Sequence, residues 1–258
     1  MRRYRLNNIK LPLEADDGEV VAAVRARFGA GVRNCRVVRK SLDARHKDRL
    51  WKIYAAAFEY DGEPAADSDL LELPAEEERL DFAAASYEAG RGKAMRPVIV
   101  GAGPAGMMAA LCLAEAGAKP VVLERGAPVD ERQEVVRRFW ETGELNEGTN
   151  VQFGEGGAGT FSDGKLMTGI KKDKFTAKVL ETFVAMGAPE EILYLAKPHI
   201  GTDKLAAMVG NIRQRITELG GEYRFYETLV DLELEEKAGA EDVRRLAAAV
   251  LERADGTR

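Results

Sequence analysis

The stretch PVIVGAGPAGMMAALCLAEAGAKPVVLERG, residues 97–126, restricts the fold more than any other part of the chain. Val98, Ile99 and Val100 read as a short strand of the buried type, and Gly101, Gly103 and Gly106 follow with the spacing GxGxxG. Apolar residues then recur at helical spacing through Met107, Ala110, Leu111 and Ala114. Gly117 suits the end of that helix, KPVVLE is a second strand, and Glu124 closes it 18 residues after the third glycine. GxGxxG alone constrains little. Set between strand and helix in a βαβ unit, with an acid at this distance, it is a dinucleotide-binding fingerprint.

Each part has a physical task. Gly101 permits the tight turn, Gly103 lets a pyrophosphate approach the backbone, and Gly106 lets helix and strand pack closely. Pro104 and Ala105 fall in the first helical turn, where free amides and the positive end of the helix dipole face the phosphates. Glu124, with Arg125 beside it, is expected at the adenosine ribose, where its carboxylate accepts from the hydroxyls. An acid there repels a 2′-phosphate, which puts NADP last for this site. The spacing serves FAD and NAD equally.

Composition sets wider bounds. A chain of 258 residues holds one large domain or two smaller ones, and 45% hydrophobic with 31% charged residues is ordinary for a soluble globular protein. Cys35 and Cys112 are far apart with no CxxC pairing, which argues against a disulfide scaffold, a structural zinc site or a dithiol centre; no metal is expected. MRRYRLNNIKLPL has no apolar core of signal-peptide length, and no run approaches the ~18 apolar residues of a membrane span, so a cytoplasmic protein is expected.

Charge is uneven, with net +7 over residues 1–60 and −6 over residues 61–100. The basic start could touch an acidic partner or nucleic acid, but it lacks the aromatic–basic interleaving of an RNA-binding module. A solvated surface is the simpler expectation.

That start also has its own periodicity. YRLNNIKLPL alternates as a strand, DGEVVAAVRARFG has helical spacing through Val20, Val21, Val24 and Phe28, and Gly29 is a helix stop. VRNCRVVRKSL and DRLWKIYAAAFEY read as two more strands. Residues 1–73 are therefore expected to form a small α+β, ferredoxin-like domain. DGEPAADSDLLELP reads as a boundary, 74–95 as a linker helix, and 96–258 as an incomplete Rossmann-like domain.

A second glycine cluster, FGEGGAGTFSDGKL, spans residues 153–166. GTFSDGK matches the GxxxxGK of a P-loop, but Leu166 stands where a P-loop needs Ser or Thr for magnesium, and no buried strand precedes it. Glycine lets main chain lie close against a flat ring, so the amides of Gly156, Gly157, Gly159 and Thr160 are expected at the pyrophosphate or ring edge. Asp163 and Lys165 are expected near the reactive face.

VQFGEGGAGTFSDGKL, preceded by VDERQEVVRRFWETGELN and followed by APEEILYLAKPHIGTDKL, resembles a group of bacterial FAD-dependent proteins described as NAD(FAD)-utilising dehydrogenases. They belong to the glutathione-reductase-like class of flavoproteins, and the resemblance runs over essentially the whole chain. It implies an FAD-binding oxidoreductase acting on an unidentified small molecule, with NAD(P)H as a candidate electron donor. By the same resemblance, EYRFYETLVDLEL is a strand passing the adenine near Val230, and the chain stops before further strands that complete an FAD site in this class. A C-terminally truncated protein is thus expected.

The helix from about Asp203 to Leu219 should bury Leu205, Met208, Val209, Ile212, Ile216 and Leu219, with Thr202 as N-cap and Gly220 as stop. RRLAAAVLER is a strand running into the Asp255–Gly256 turn, with no partner strand after it. His199, in KPHIGTD, is a third candidate to face a substrate, beside Asp163 and Lys165. The alternative function is a flavin-containing, RNA-associated or binding protein with a basic N-terminal module. Oligomeric state is not legible.

Overall fold

The computed structural model describes residues 1–46, 48–75, 80–83, 96–166, 174–236 and 244–258. They form a mixed α/β structure in two compact units. One comprises Met1–Leu80, Lys165–Val184 and Pro189–His199; the other comprises Asp81–Gly164, Ala185–Ala188 and Ile200–Arg258.

The first unit begins with β1 (Arg2–Leu11), α1 (Asp17–Phe28), β2 (Arg33–His46) and β3 (Arg49–Tyr60). The expected boundary segment contains a further strand, β4 (Leu70–Leu73), which pairs antiparallel with β1. The sheet order is β2-β3-β1-β4, antiparallel throughout. Helix α1 starts at a capping box in which the Glu19 N–H donates to Asp16 and the Asp16 N–H donates to Glu19, each at 3.0 Å. It ends at Gly29, whose φ of +82° suits a residue without Cβ. Val20 and Val24 on its inner face pack with Tyr4, Leu6, Tyr54 and Phe58 from the sheet.

A distant segment joins this unit. The Lys40 N–H donates to the Tyr194 carbonyl at 2.8 Å, and the Ala196 N–H donates to the Lys40 carbonyl at 2.9 Å, along the edge of β2. Residues 165–199 are mostly grouped here together with α4 (Lys174–Ala185), not with the 96–258 segment to which the sequence assigned them. The reason is tertiary: β2 is an edge strand whose backbone groups need partners. The expected linker helix, 74–95, falls largely outside the described residues.

The second unit is built on β5 (Val98–Val100), α2 (Pro104–Glu115), β6 (Val121–Glu124) and α3 (Val129–Thr142), followed by α5 (Thr202–Glu218) and β7 (Glu222–Phe225). β5, β6 and β7 form a parallel sheet in that order. Val122 is fully buried, but β5 lies at the sheet edge and Val98 and Val100 are exposed, against the buried-type strand expected there.

Two further expectations change. Helix α5 has Gly201, not Thr202, at its N-cap position, and the Thr202 hydroxyl donates to the Ser162 carbonyl at 3.1 Å; Leu219 lies past its end, only half-buried. The strand expected over EYRFYETLVDLEL is two strands, because Tyr226 adopts φ +60° and breaks it. Beyond Tyr226, β8 (Glu227–Glu236) turns away from the parallel sheet and pairs antiparallel with β9 (Arg244–Arg253). Among the described residues, no helix is long and apolar enough to cross a membrane.

Candidate cofactor site

At the end of β5 the chain makes the turn the glycine spacing requires. Gly101 has φ +93°, and its N–H donates to the Leu123 carbonyl at 2.7 Å, which ties the turn to β6. Gly103 is the N-cap residue of α2, Pro104 is its first helical residue, and Ala105 and Gly106 follow. A Cβ on Gly106 would fall 1.9 Å from the Gly101 carbonyl oxygen and 3.4 Å from Ile99 Cγ2, so helix and strand meet there only because a side chain is missing. At Gly101 and Gly103 a Cβ would meet nothing within 4 Å. No side chain caps the first turn of α2. An uncapped helix start beside open space suits an anion.

Glu124 sits within this turn, almost fully buried. One carboxylate oxygen accepts from the Ala102 N–H at 2.8 Å and the other from the Gly126 N–H at 2.9 Å. A carboxylate offers about four acceptor positions, so these two amides use only part of its capacity. Arg125 places its guanidinium 4.1 Å over the Phe153 ring.

The glycine cluster comes to the same place. The Gly156 N–H donates to the Ala102 carbonyl at 2.8 Å, and a Cβ on Gly157 would sit 3.2 Å from Pro104 Cδ. The amides expected to bind phosphate or ring are, however, mostly committed within the chain. Gly156 donates to Ala102, Gly157 to Gly154 and Thr160 to Gly157. A loop this rich in glycine, next to a buried strand end, first satisfies its own backbone. Gly159 lies in a 3-10 turn, Ala158–Phe161, with no strand leading into it, which also removes the geometry of a P-loop. The Thr160 hydroxyl is buried without a hydrogen-bond partner.

Loop and turn together wall a cavity of about 250 Å³, lined by Gly101, Gly103, Glu124, Arg125, Gly154 and Gly157 among others. That is below the ~300–1,000 Å³ of pockets that enclose a drug-sized ligand. β8 reaches this cavity through Glu227, Thr228 and Leu229; Val230, the expected adenine neighbour, is not in the lining, and it is half-exposed. None of Asp163, Lys165 and His199 lines it. All three are exposed, and Lys165 and His199 face each other on an antiparallel bridge in the first unit. A larger cavity of about 450 Å³ in that unit, between α1, β2 and α4, holds none of the candidate residues.

The sequence reading overlooked the residues that shape the loop. Arg132 is fully buried, and burial brings its pKa down to about 10. Glu155 is also fully buried; one of its oxygens accepts from the Val129 N–H at 2.8 Å and the other lies 3.1 Å from Arg213 Nε. Burial pushes its pKa up to about 7. The signal for Arg132 was present: it lies on the helical stripe of Val129 and Val136, where an apolar residue belongs.

Residues 95–133 match the family model of the FAD binding domain. A Clostridium beijerinckii protein described only as uncharacterized is 40% identical over 224 residues, which cover 86% of this chain and 42% of that protein. The chain thus spans less than half the length of this relative. The matched segment contains the whole GxGxxG turn and α2, and FAD is its cofactor.

Proposed function

With FAD bound at residues 95–133 as the premise, we propose that the chain is part of an FAD-dependent oxidoreductase that moves hydride between the flavin and a small molecule. The carrying observation is the Gly156–Ala102 hydrogen bond at 2.8 Å, which brings the glycine loop against the dinucleotide turn so that both wall one cavity. In this reading Gly101, Gly103, Pro104, Ala105 and Gly106 receive the pyrophosphate at the start of α2, and Glu124 holds the adenosine ribose. Arg125 and Gly157 line the adjoining wall, Gly156, Gly159 and Thr160 belong to the loop that carries it, and Val230 lies just beyond it.

Bound flavin supplies the redox chemistry; the protein supplies position and electrostatics. Asp163, in the same unit as the cofactor turn, is the polar group proposed to meet a substrate. The parallel β5–β6–β7 sheet is read as Rossmann-like, and the antiparallel β2-β3-β1-β4 sheet as ferredoxin-like. The finer family reading, a NAD(FAD)-utilising dehydrogenase of the glutathione-reductase-like class working in the cytoplasm, rests on the sequence motifs.

The test is anaerobic titration of the FAD-loaded protein with NADH and with NADPH. Bleaching of the visible flavin band by either supports a pyridine-nucleotide-dependent oxidoreductase. A flavin that dithionite bleaches but neither nucleotide reduces contradicts NAD(P)H as the donor.

A further inference from the structure

Arg132 heads the fully buried side chains by size. A guanidinium stays charged in a protein, so burying one is costly unless every N–H is satisfied. Here none of its hydrogen bonds goes to a carboxylate. Nε donates to the Asn150 carbonyl at 3.0 Å and Nη2 to Val151 at 2.9 Å. Nη1 donates to Gly154 at 3.2 Å, Glu155 at 2.6 Å and Gly157 at 2.9 Å. A carboxylate partner would fix the chain at one point. Five carbonyls spread over residues 150–157 fix its path.

The loop returns the grip. Glu155 accepts the Val129 N–H at the first residue of α3, and Arg132 follows on the same helix. Gly154 leaves no room for a side chain, since its Cβ would fall 2.5 Å from Arg132 Cδ at a φ of +119°. Gly154 and Gly157, both held by Arg132, also line the cavity at the dinucleotide turn.

We infer that Arg132 is a positioning residue for the cofactor. It holds residues 150–157 in the shape that walls the cavity, and sets a positive charge one peptide layer behind the surface facing the pyrophosphate. The cofactor half of this inference rests on the FAD reading; the loop half rests on the carbonyl contacts alone.

Arg132→Lys tests it, because an ammonium keeps the charge but has three donors and no fork. Two measurements are needed: FAD affinity by flavin fluorescence, and hydrogen exchange of the FAD-free protein, read separately for residues 150–157 and for β6 and α5. Exchange should accelerate at 150–157 while β6 and α5 stay protected. FAD binding should weaken on the order of tenfold to a hundredfold, as when a group that orients binding groups is removed. Saturating FAD should restore the loop's protection.

Wild-type affinity in the variant, or accelerated exchange spread evenly over the second unit, overturns the inference. Wild-type protein that takes up no FAD overturns the cofactor half, and the exchange comparison then decides the loop half by itself.

Discussion

Replacing Glu155 by glutamine should change how stability depends on pH, and the sign follows from where the carboxyl sits. It is fully buried, with the Val129 N–H on one oxygen and Arg213 Nε 3.1 Å from the other. Burial outweighs both contacts and raises its pKa from 4.5 to about 7. A carboxyl whose pKa is higher in the folded state binds its proton more tightly when folded. The stability it contributes is fully present below its unfolded pKa and is lost as pH rises through about 7.

A shift of that size is worth about 3 kcal/mol. Glutamine keeps an oxygen for the Val129 amide and has no charge to desolvate, while Arg213 retains Asp130 at 3.0 Å. Urea unfolding of both proteins at about pH 5 and about pH 8 isolates this one group, since the other carboxylates are common to both. Near pH 5 the two should be similar in stability; near pH 8 the variant should be the more stable, by up to about 3 kcal/mol. Parallel curves, or a variant weaker at the higher pH, would show that the Arg213 pair outweighs burial and refute the reasoning.

Two other substitutions probe the turn and the loop. Gly106→Ala gains about 1 kcal/mol of helix propensity but puts a Cβ 1.9 Å from the Gly101 oxygen, an overlap worth about 1–3 kcal/mol or more; the variant should melt lower and hold FAD poorly, and undiminished stability would refute the close packing. Thr160→Val removes a buried hydroxyl that has no partner, so stability should be unchanged or rise by about 1 kcal/mol with FAD affinity intact; lost affinity in a folded variant would show that the hydroxyl serves the cofactor.

What the sequence revealed and what it hid divide along a physical line. The βαβ unit was legible because its requirements are local: Gly101 needs φ +93°, Gly106 needs the missing Cβ, and both are single-residue facts. The helix stops at Gly29, Gly117 and Gly220 were legible for the same reason, each at positive φ. Tyr226 was not, since a tyrosine at φ +60° carries no local signature and splits what alternation presents as one strand. β4 was hidden in an acidic, proline-containing segment and exists through its pairing with β1.

The site shows the same division. The role of Glu124 as an acid at a strand end was readable, but its two backbone amides were not. The commitment of the Gly156 and Gly157 amides to Ala102 and Gly154, and the five carbonyls around Arg132, are contacts that periodicity does not carry.

The central claim is that the turn at residues 101–106 and the loop at 150–157 form one FAD-binding surface. Desalting the purified chain after adding FAD, then recording its visible spectrum, tests this most directly. A flavin band at one cofactor per chain, abolished by Glu124→Ala, is the expected result. A protein that stays colourless after saturating FAD, or that takes up NAD in its place, contradicts it.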